Sequence, residues 1–223
     1  MKNIIIAIDG FAGSGKSTTA RLVANSLNYI YIDTGAMYRA VTLKWIRENT
    51  ELTDENVCKV LTDLKLELHQ GDKGQIVIMN GEDISNEIRS LDVSNYVSPV
   101  SALGCVREKM VEQQRQLGQN GGVVMDGRDI GSFVFPNAEL KVFLTASVEE
   151  RAKRRVRELE QKGMKESVES LIKNITERDY FDSHRKISPL TKAADAIEID
   201  TTLLTIQQQC NKIIELAKKI IGV

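Results

Sequence analysis

Little in this sequence speaks for export, metal binding or a membrane. Its three cysteines, Cys58, Cys105 and Cys210, lie far apart and form no C-x-x-C pair. Neither a zinc site nor a disulfide framework is therefore expected; reduced thiols in a cytosolic protein are. The two histidines, His69 and His184, lack metal-ligand spacing. The N-terminal apolar run IIIAI is cut by Asp9, too short for a membrane span or the core of a signal peptide. A soluble cytoplasmic protein is the expectation. With three prolines and no low-complexity tract, the chain has no linker and reads as one domain, 1–223, with insertions. Neither charge dominates. Thirty basic residues against 31 acidic ones leave a net charge of -1, without the basic excess of a nucleic-acid binder. No coiled-coil pattern or exposed apolar stripe is present, so a monomer is expected.

What is present is an alternation of buried strands and helices. Ile4 to Asp9, Tyr29 to Ile32, Val123 to Met125, Leu140 to Thr145 and Ala196 to Ile199 read as strands. Ser17 to Leu27, Ala36 to Glu48 and Ile206 to Ile220 read as helices, the last opened by a Thr205/Gln208 capping box. Strands separated by helices imply an α/β fold, a parallel sheet covered on both faces. The middle breaks the rhythm. Leu64, Leu66 and Leu68 alternate with charged or polar residues, GDKG turns the chain into QIVIM, and Asn80-Gly81 signals a hairpin. A small antiparallel element inserted into the α/β domain follows, with helical patterns at 100–118 and 148–181.

Gly10-Phe11-Ala12-Gly13-Ser14-Gly15-Lys16-Ser17-Thr18 meets the spacing G-x-x-x-x-G-K-[ST] between a strand and a helix. Such a loop turns backbone N–H groups inward around phosphates at a helix N-terminus. Lys16 would reach the β- and γ-phosphates of ATP, and the Ser17 hydroxyl would ligate Mg2+. Phe11 stands where many nucleotide kinases have proline. An N-K-x-D guanine motif and an L-S-G-G-Q signature are both missing, which excludes GTPases and transporter ATPases and leaves a phosphotransferase.

Arginines mark where the phosphoryl group goes. Thr34 and Arg39 sit in DTGAMYR at the start of the second helix. Asp126, Arg128 and Asp129 follow a buried strand, where doubly wound folds place ligand residues; Asp126 has the form of a second Mg2+ ligand. SVEERAKRRVREL carries Arg151, Lys153, Arg154, Arg155 and Arg157, either a solvated helix face or the lid small kinases place there. In ERDYFDSHR a helix would set Arg178, Asp182 and Arg185 on one face, as an ion-pair stripe or as ligands. Arginine forks suit a phosphate acceptor, which is already ionised and needs positioning rather than a base. A nucleoside monophosphate kinase is favoured. Two rivals stay open: a kinase of a small alcohol with Asp33 or Asp126 as base, and a nucleotide-driven switch.

IDGFAGSGKST, DTGAMYR, DGRDIG, VFP, SVEERAKRR and ERDYFDSHR, in this order, closely resemble the bacterial cytidylate kinases from about residue 3 to residue 220. The resemblance implies a five-stranded parallel core (1–33, 119–146 and 182–223), a monophosphate-binding insert at about 34–118 and a lid at about 147–181. It implies transfer from ATP to CMP or dCMP. Thr34, Arg39, Arg128 and Arg185 would bind the acceptor phosphate. Ser98, Arg107 and Asp129 would read the cytosine, and Arg178 with Asp182 would hold the sugar. Lys16, Arg128, Arg151, Arg155 and Arg185 would carry the transfer. Spacing alone leaves Ser98 and Arg107 as structural helix residues.

Overall fold

A computed structural model describes residues 2–71, 74–161 and 163–222. Its elements run β1 (Ile5–Gly10), α1 (Lys16–Leu27), β2 (Ile30–Asp33), α2 (Thr34–Glu48), α3 (Asp54–Lys59), β3 (Leu66–Gly71), β4 (Gly74–Met79) and β5 (Glu82–Asp83). They continue with α4 (Leu91–Ser101), α5 (Gly104–Gly118), β6 (Val123–Gly127), β7 (Leu140–Thr145), α6 (Val148–Glu160), α7 (Val168–His184), β8 (Ile197–Asp200) and α8 (Ile206–Ile221). Five strands form a parallel sheet in the order β2-β6-β1-β7-β8. Strand order reverses at β1, so its carboxyl end opens onto the crevice where such sheets bind ligands.

The alternation within β1 explains the two covered faces. Ile4, Ile6 and Ile8 point into a cluster with Val23, Ala24, Ile213 and Ala217 of α1 and α8. Ala7 points the other way, into a cluster with Val111 of α5, Met125, Ile130 and Val134. Each fully buried isoleucine contributes about 1.5–3 kcal/mol by leaving water. At the end of β1 the chain turns at Gly10 (φ 144°), where a Cβ would lie 2.1 Å from the Leu144 carbonyl oxygen. Only glycine fits there.

Residues 34–118 build a third apolar cluster, of their own. Met37, Val41 and Trp45 of α2 pack against Val77 and Met79 of β4 and Val93, Val97 and Val100 of α4. The antiparallel sheet β3-β4-β5 borders it. Asn80 (φ 51°) and Gly81 (φ 88°) join β4 to β5 as the expected two-residue turn. Asp72 and Lys73 of the GDKG turn lie outside the described residues.

Three expectations need correction. Cys58 and Cys105 form a disulfide, with Cα atoms 5.9 Å apart, and only Cys210 is a free thiol. The 47-residue separation hid the pair: α3, capped by the Thr53 hydroxyl on Asn56 N–H, has too short an apolar pattern to register, yet it docks on α5. Second, the helical stretches at 100–118 and 148–181 are each broken, between α4 and α5 and between α6 and α7. Third, α7 ends at His184 and Arg185 follows in extended backbone (φ −63°, ψ 145°), so Arg185 leaves the helical face of Arg178 and Asp182. Its guanidinium instead turns toward Asp129.

Candidate active site

The loop between β1 and α1 wraps around its own lysine. Lys16 is buried, and its ammonium donates to the Phe11 carbonyl at 2.6 Å and to Ser14 Oγ at 3.4 Å. Burial, with the charge of Arg128 next, holds its pKa well below the usual lysine range. Gly15 caps α1 from a left-handed conformation (φ 92°). Phe11 stacks edge-on against Phe143 and lies under the Arg151 guanidinium, so an aromatic clamp holds the position where many kinases use proline.

Beneath the loop, Ser17 Oγ donates to Asp126 Oδ2 at 2.7 Å, and the Tyr31 hydroxyl donates to Asp126 Oδ1 at 2.8 Å. Burial, then the charge of Asp33, raises the Asp126 carboxyl to about 6. Tyr31 is pushed far above the ordinary phenol range by burial and then by Asp126, so it stays a proton donor. Among the described residues no group of three or more His, Cys, Asp or Glu could hold a metal. The Ser17 and Asp126 oxygens are nonetheless the hard donors that suit Mg2+, which takes few protein ligands and keeps its waters.

Beside the loop is a set of guanidinium groups, most of them turned to a carboxylate. Arg128 donates from Nε to Asp182 Oδ2 at 3.0 Å, and Arg178 Nε lies 3.9 Å from the same oxygen. Burial would raise Asp182, but Arg128 and Arg178 outweigh it and hold the carboxyl below its ordinary value. Arg107 bonds Asp129 Oδ2 and donates to the Tyr38 hydroxyl at 2.7 Å. Arg185 reaches Asp129 Oδ1 at 3.4 Å. Burial still leaves the Asp129 carboxyl raised despite both arginines. Arg39 donates to Ser94 Oγ and the Ile88 carbonyl. Burial, then the Arg178 charge, lowers Arg39 to about 10; burial and then Arg128 lower Arg178 equally. Both remain charged near neutrality.

Several expected residues come together: Lys16 feels the charges of Arg128 and Arg178, Arg178 that of Arg128, and Arg39 those of Arg178 and Arg155. Arg151 is docked rather than free, donating to the Ala12 carbonyl at 3.1 Å and pairing with Asp179. Arg155 is partly exposed and pairs with Glu158 at 2.9 Å. Thr34 is the first residue of α2, where the sequence sets it. Its hydroxyl donates inward to the Asp126 carbonyl at 2.7 Å, and Asp33 caps α2. Ser98 is half-buried on α4, and among the described residues no side-chain hydrogen bond joins it to Arg107 or Asp129.

Sequence reasoning missed several residues that shape this site. Tyr38 supports Arg107 from below its guanidinium, 5.2 Å from the ring centre; it lay inside the DTGAMYR motif without a role. Asp9 closes a buried strand as Asp126 does, the signal that was read only as a stop. Gln209 accepts from Thr19 Oγ1 at 2.9 Å, near Arg154, one of the arginines of the lid segment, which donates to the Thr201 carbonyl at 2.6 Å. They border a cavity of about 530 Å³ between Gly13, Thr18, Arg157 and Leu203.

The sheet order and the loop together define a phosphate-loop protein. A gluconokinase from Sinorhizobium meliloti shares that fold at a TM-score of 0.51 and 15% identity, over 99% of this chain and 94% of that one. The family model described as cytidylate kinase matches residues 6–219. Cytidylate kinase from Bacillus velezensis is 54% identical over 219 residues, 98% of each chain. That from Bacillus subtilis is 54% identical over 215 residues, 96% of each. The chain belongs to the cytidylate kinase family and is an enzyme of phosphoryl transfer. Among the described residues no helix is long and apolar enough to cross a membrane.

Proposed function

We propose that the protein transfers the γ-phosphoryl group of ATP to CMP or dCMP, giving ADP and CDP or dCDP. An acceptor phosphate oxygen bonds to the γ-phosphorus in line as the bond to the β,γ-bridging oxygen breaks. The observation that carries this reading is the gathering of Arg39, Arg128 and, from α7 and its C-cap, Arg178 and Arg185, three stretches of chain brought together near Lys16. Their crowded charge, partly balanced by Asp182 and Asp129, suits two facing phosphates better than an alcohol, and no unpaired carboxylate base is needed.

In this reading Gly10 to Thr18 cradle the donor phosphates, and its base enters the cavity beside Arg154 and Leu203. Ser17 and Asp126 would hold Mg2+, which supplies charge neutralisation at the bridging phosphates. Arg39, Arg128 and Arg185 hold the acceptor phosphate; Thr34 joins them if its hydroxyl turns from the Asp126 carbonyl. Asp129 accepts from the cytosine amino group while Arg107 and Ser98 donate to its acceptor edge. Arg178 and Asp182 hold the sugar. Arg151 and Arg155 belong to a lid, 147–181, that excludes water during transfer, and 34–118 carries the acceptor. The protein acts as a cytoplasmic monomer on small molecules.

A coupled ADP-release assay across CMP, dCMP, UMP, AMP and GMP tests the assignment. CMP and dCMP should turn over fastest. Equal rates on all five, or slow ATP hydrolysis indifferent to the acceptor, would overturn it.

A further inference from the structure

Asp9 is a buried carboxylate whose side-chain hydrogen bonds, among the described residues, go to none of the residues assigned above to the nucleotides. It is 5% exposed at the end of β1, directly before Gly10. Its two oxygens accept from the Ile130 N–H at 2.8 Å and the Gly131 N–H at 2.7 Å. Those amides open the π-helical turn Ile130–Val134 that follows Asp129.

A helical turn leaves its first N–H groups without partners, and an aspartate at the N-cap ordinarily bonds them itself. Asp129 occupies that N-cap and makes no side-chain cap bond. Its carboxylate faces Arg107 and Arg185 instead. The capping has been handed to a residue more than a hundred positions away in sequence. With Asp9 holding the turn, Asp129 has no backbone donor to satisfy and stays aimed at the arginines.

We propose that Asp9 is a positioning residue for acceptor discrimination: by capping the turn at Ile130 and Gly131 in place of Asp129, it keeps the Asp129 carboxylate directed at the acceptor base. The proposal rests on the base-reading role assigned to Asp129. Because Asp9 adjoins the first glycine of the phosphate loop, the same tether sets the base-reading turn in register with the donor cradle. Loss of the tether lets Asp129 fall back to cap its own turn, releasing Arg107.

The test is a double-variant cycle of Asp9→Asn and Asp129→Ala, assayed on CMP and UMP with saturating ATP at pH 8. Asp9→Asn should lower the CMP/UMP ratio of kcat/KM about tenfold, mainly through the KM for CMP. The KM for ATP should stay within about twofold. The double variant should show the ratio of Asp129→Ala alone, since Asp9 acts through Asp129. Additive losses in the double variant would overturn the proposal. So would an unchanged ratio with kcat and both KM values moving together, the mark of a merely structural role. Should Asp9→Asn not fold, Asp9→Glu keeps the charge and alters only its reach, and the same outcomes apply. If Asp129→Ala by itself leaves the ratio intact, the base-reading assignment fails first, in a variant where Asp9 is untouched.

Discussion

The two halves of the site are built from different material. In the proposed donor half one short segment, Gly10 to Ser17, wraps around its own cation, Lys16. The proposed acceptor half is made of side chains. Arg39, Arg107, Arg128, Arg178 and Arg185 come from α2, α5, the end of β6, α7 and the segment after it, each paired or bonded to another side chain. A backbone cradle needs only local geometry and accepts any triphosphate. A side-chain cage can select its ligand, and it exists only when distant segments fold together.

The sharpest way to break that contrast is to remove the cation buried inside the loop itself. Lys16→Ala should leave the thermal melt near wild type and lower turnover by about 10⁴; near-normal turnover would end the donor assignment. Next comes Arg185→Ala, expected to lower kcat by about 10³ through the acceptor phosphate. A change in melting temperature with kcat retained would make its contact with Asp129 an ion pair and nothing more. Asp129→Ala is the intermediate case. It should cost roughly 1–3 kcal/mol of discrimination between CMP and UMP while leaving donor KM alone. Equal losses on both acceptors would remove the base reader from the acceptor side.

The smallest effect on the comparison is a slope with pH rather than a rate. Burial raises Asp9 to about 7 against the two N–H bonds that lower it, with Asp129 adding to the rise. The folded protein thus holds a proton that the unfolded chain, titrating near 4, gives up. That contribution to stability is full below about pH 4 and is lost as pH rises to about 7. Urea unfolding of wild type and Asp9→Asn between pH 5 and 8 should show the variant gaining on wild type as pH rises. A constant gap would mean that Asp9 does not titrate in that range.

How much was legible varies by element. The five core strands and α1, α2 and α8 were readable to within a residue or two, because buried parallel strands are unbroken apolar runs. The loop was readable in full, and so was the Asn80-Gly81 turn. Arg128, Arg178 and Asp182 were readable as charges after a strand or along a helix. The i,i+4 pairing of Arg178 with Asp182 was readable too, but the bond from Arg128 to Asp182 was not. Arg185 looked helical by spacing, yet the chain leaves α7 just before it. Ser98 carries only the family resemblance, and its side chain is not joined to its expected neighbours. The Cys58–Cys105 bridge had no local signature at all, since α3 is six residues long.

The chain's order of residues determined the phosphate-loop spacing and which segments become buried strands or helices, because those are local patterns of glycine spacing and apolar runs, although the strands themselves pair across long stretches of chain. Tertiary structure alone decided that Arg107 meets Asp129 across 22 residues, that Arg128 meets Asp182 across 54, and that Asp9 caps a turn 121 residues away. Charged side chains carry no periodicity that names their partners. Only the packing of the sheet, insert and helices brings them within reach, and burial then makes each unpaired charge too costly to leave alone.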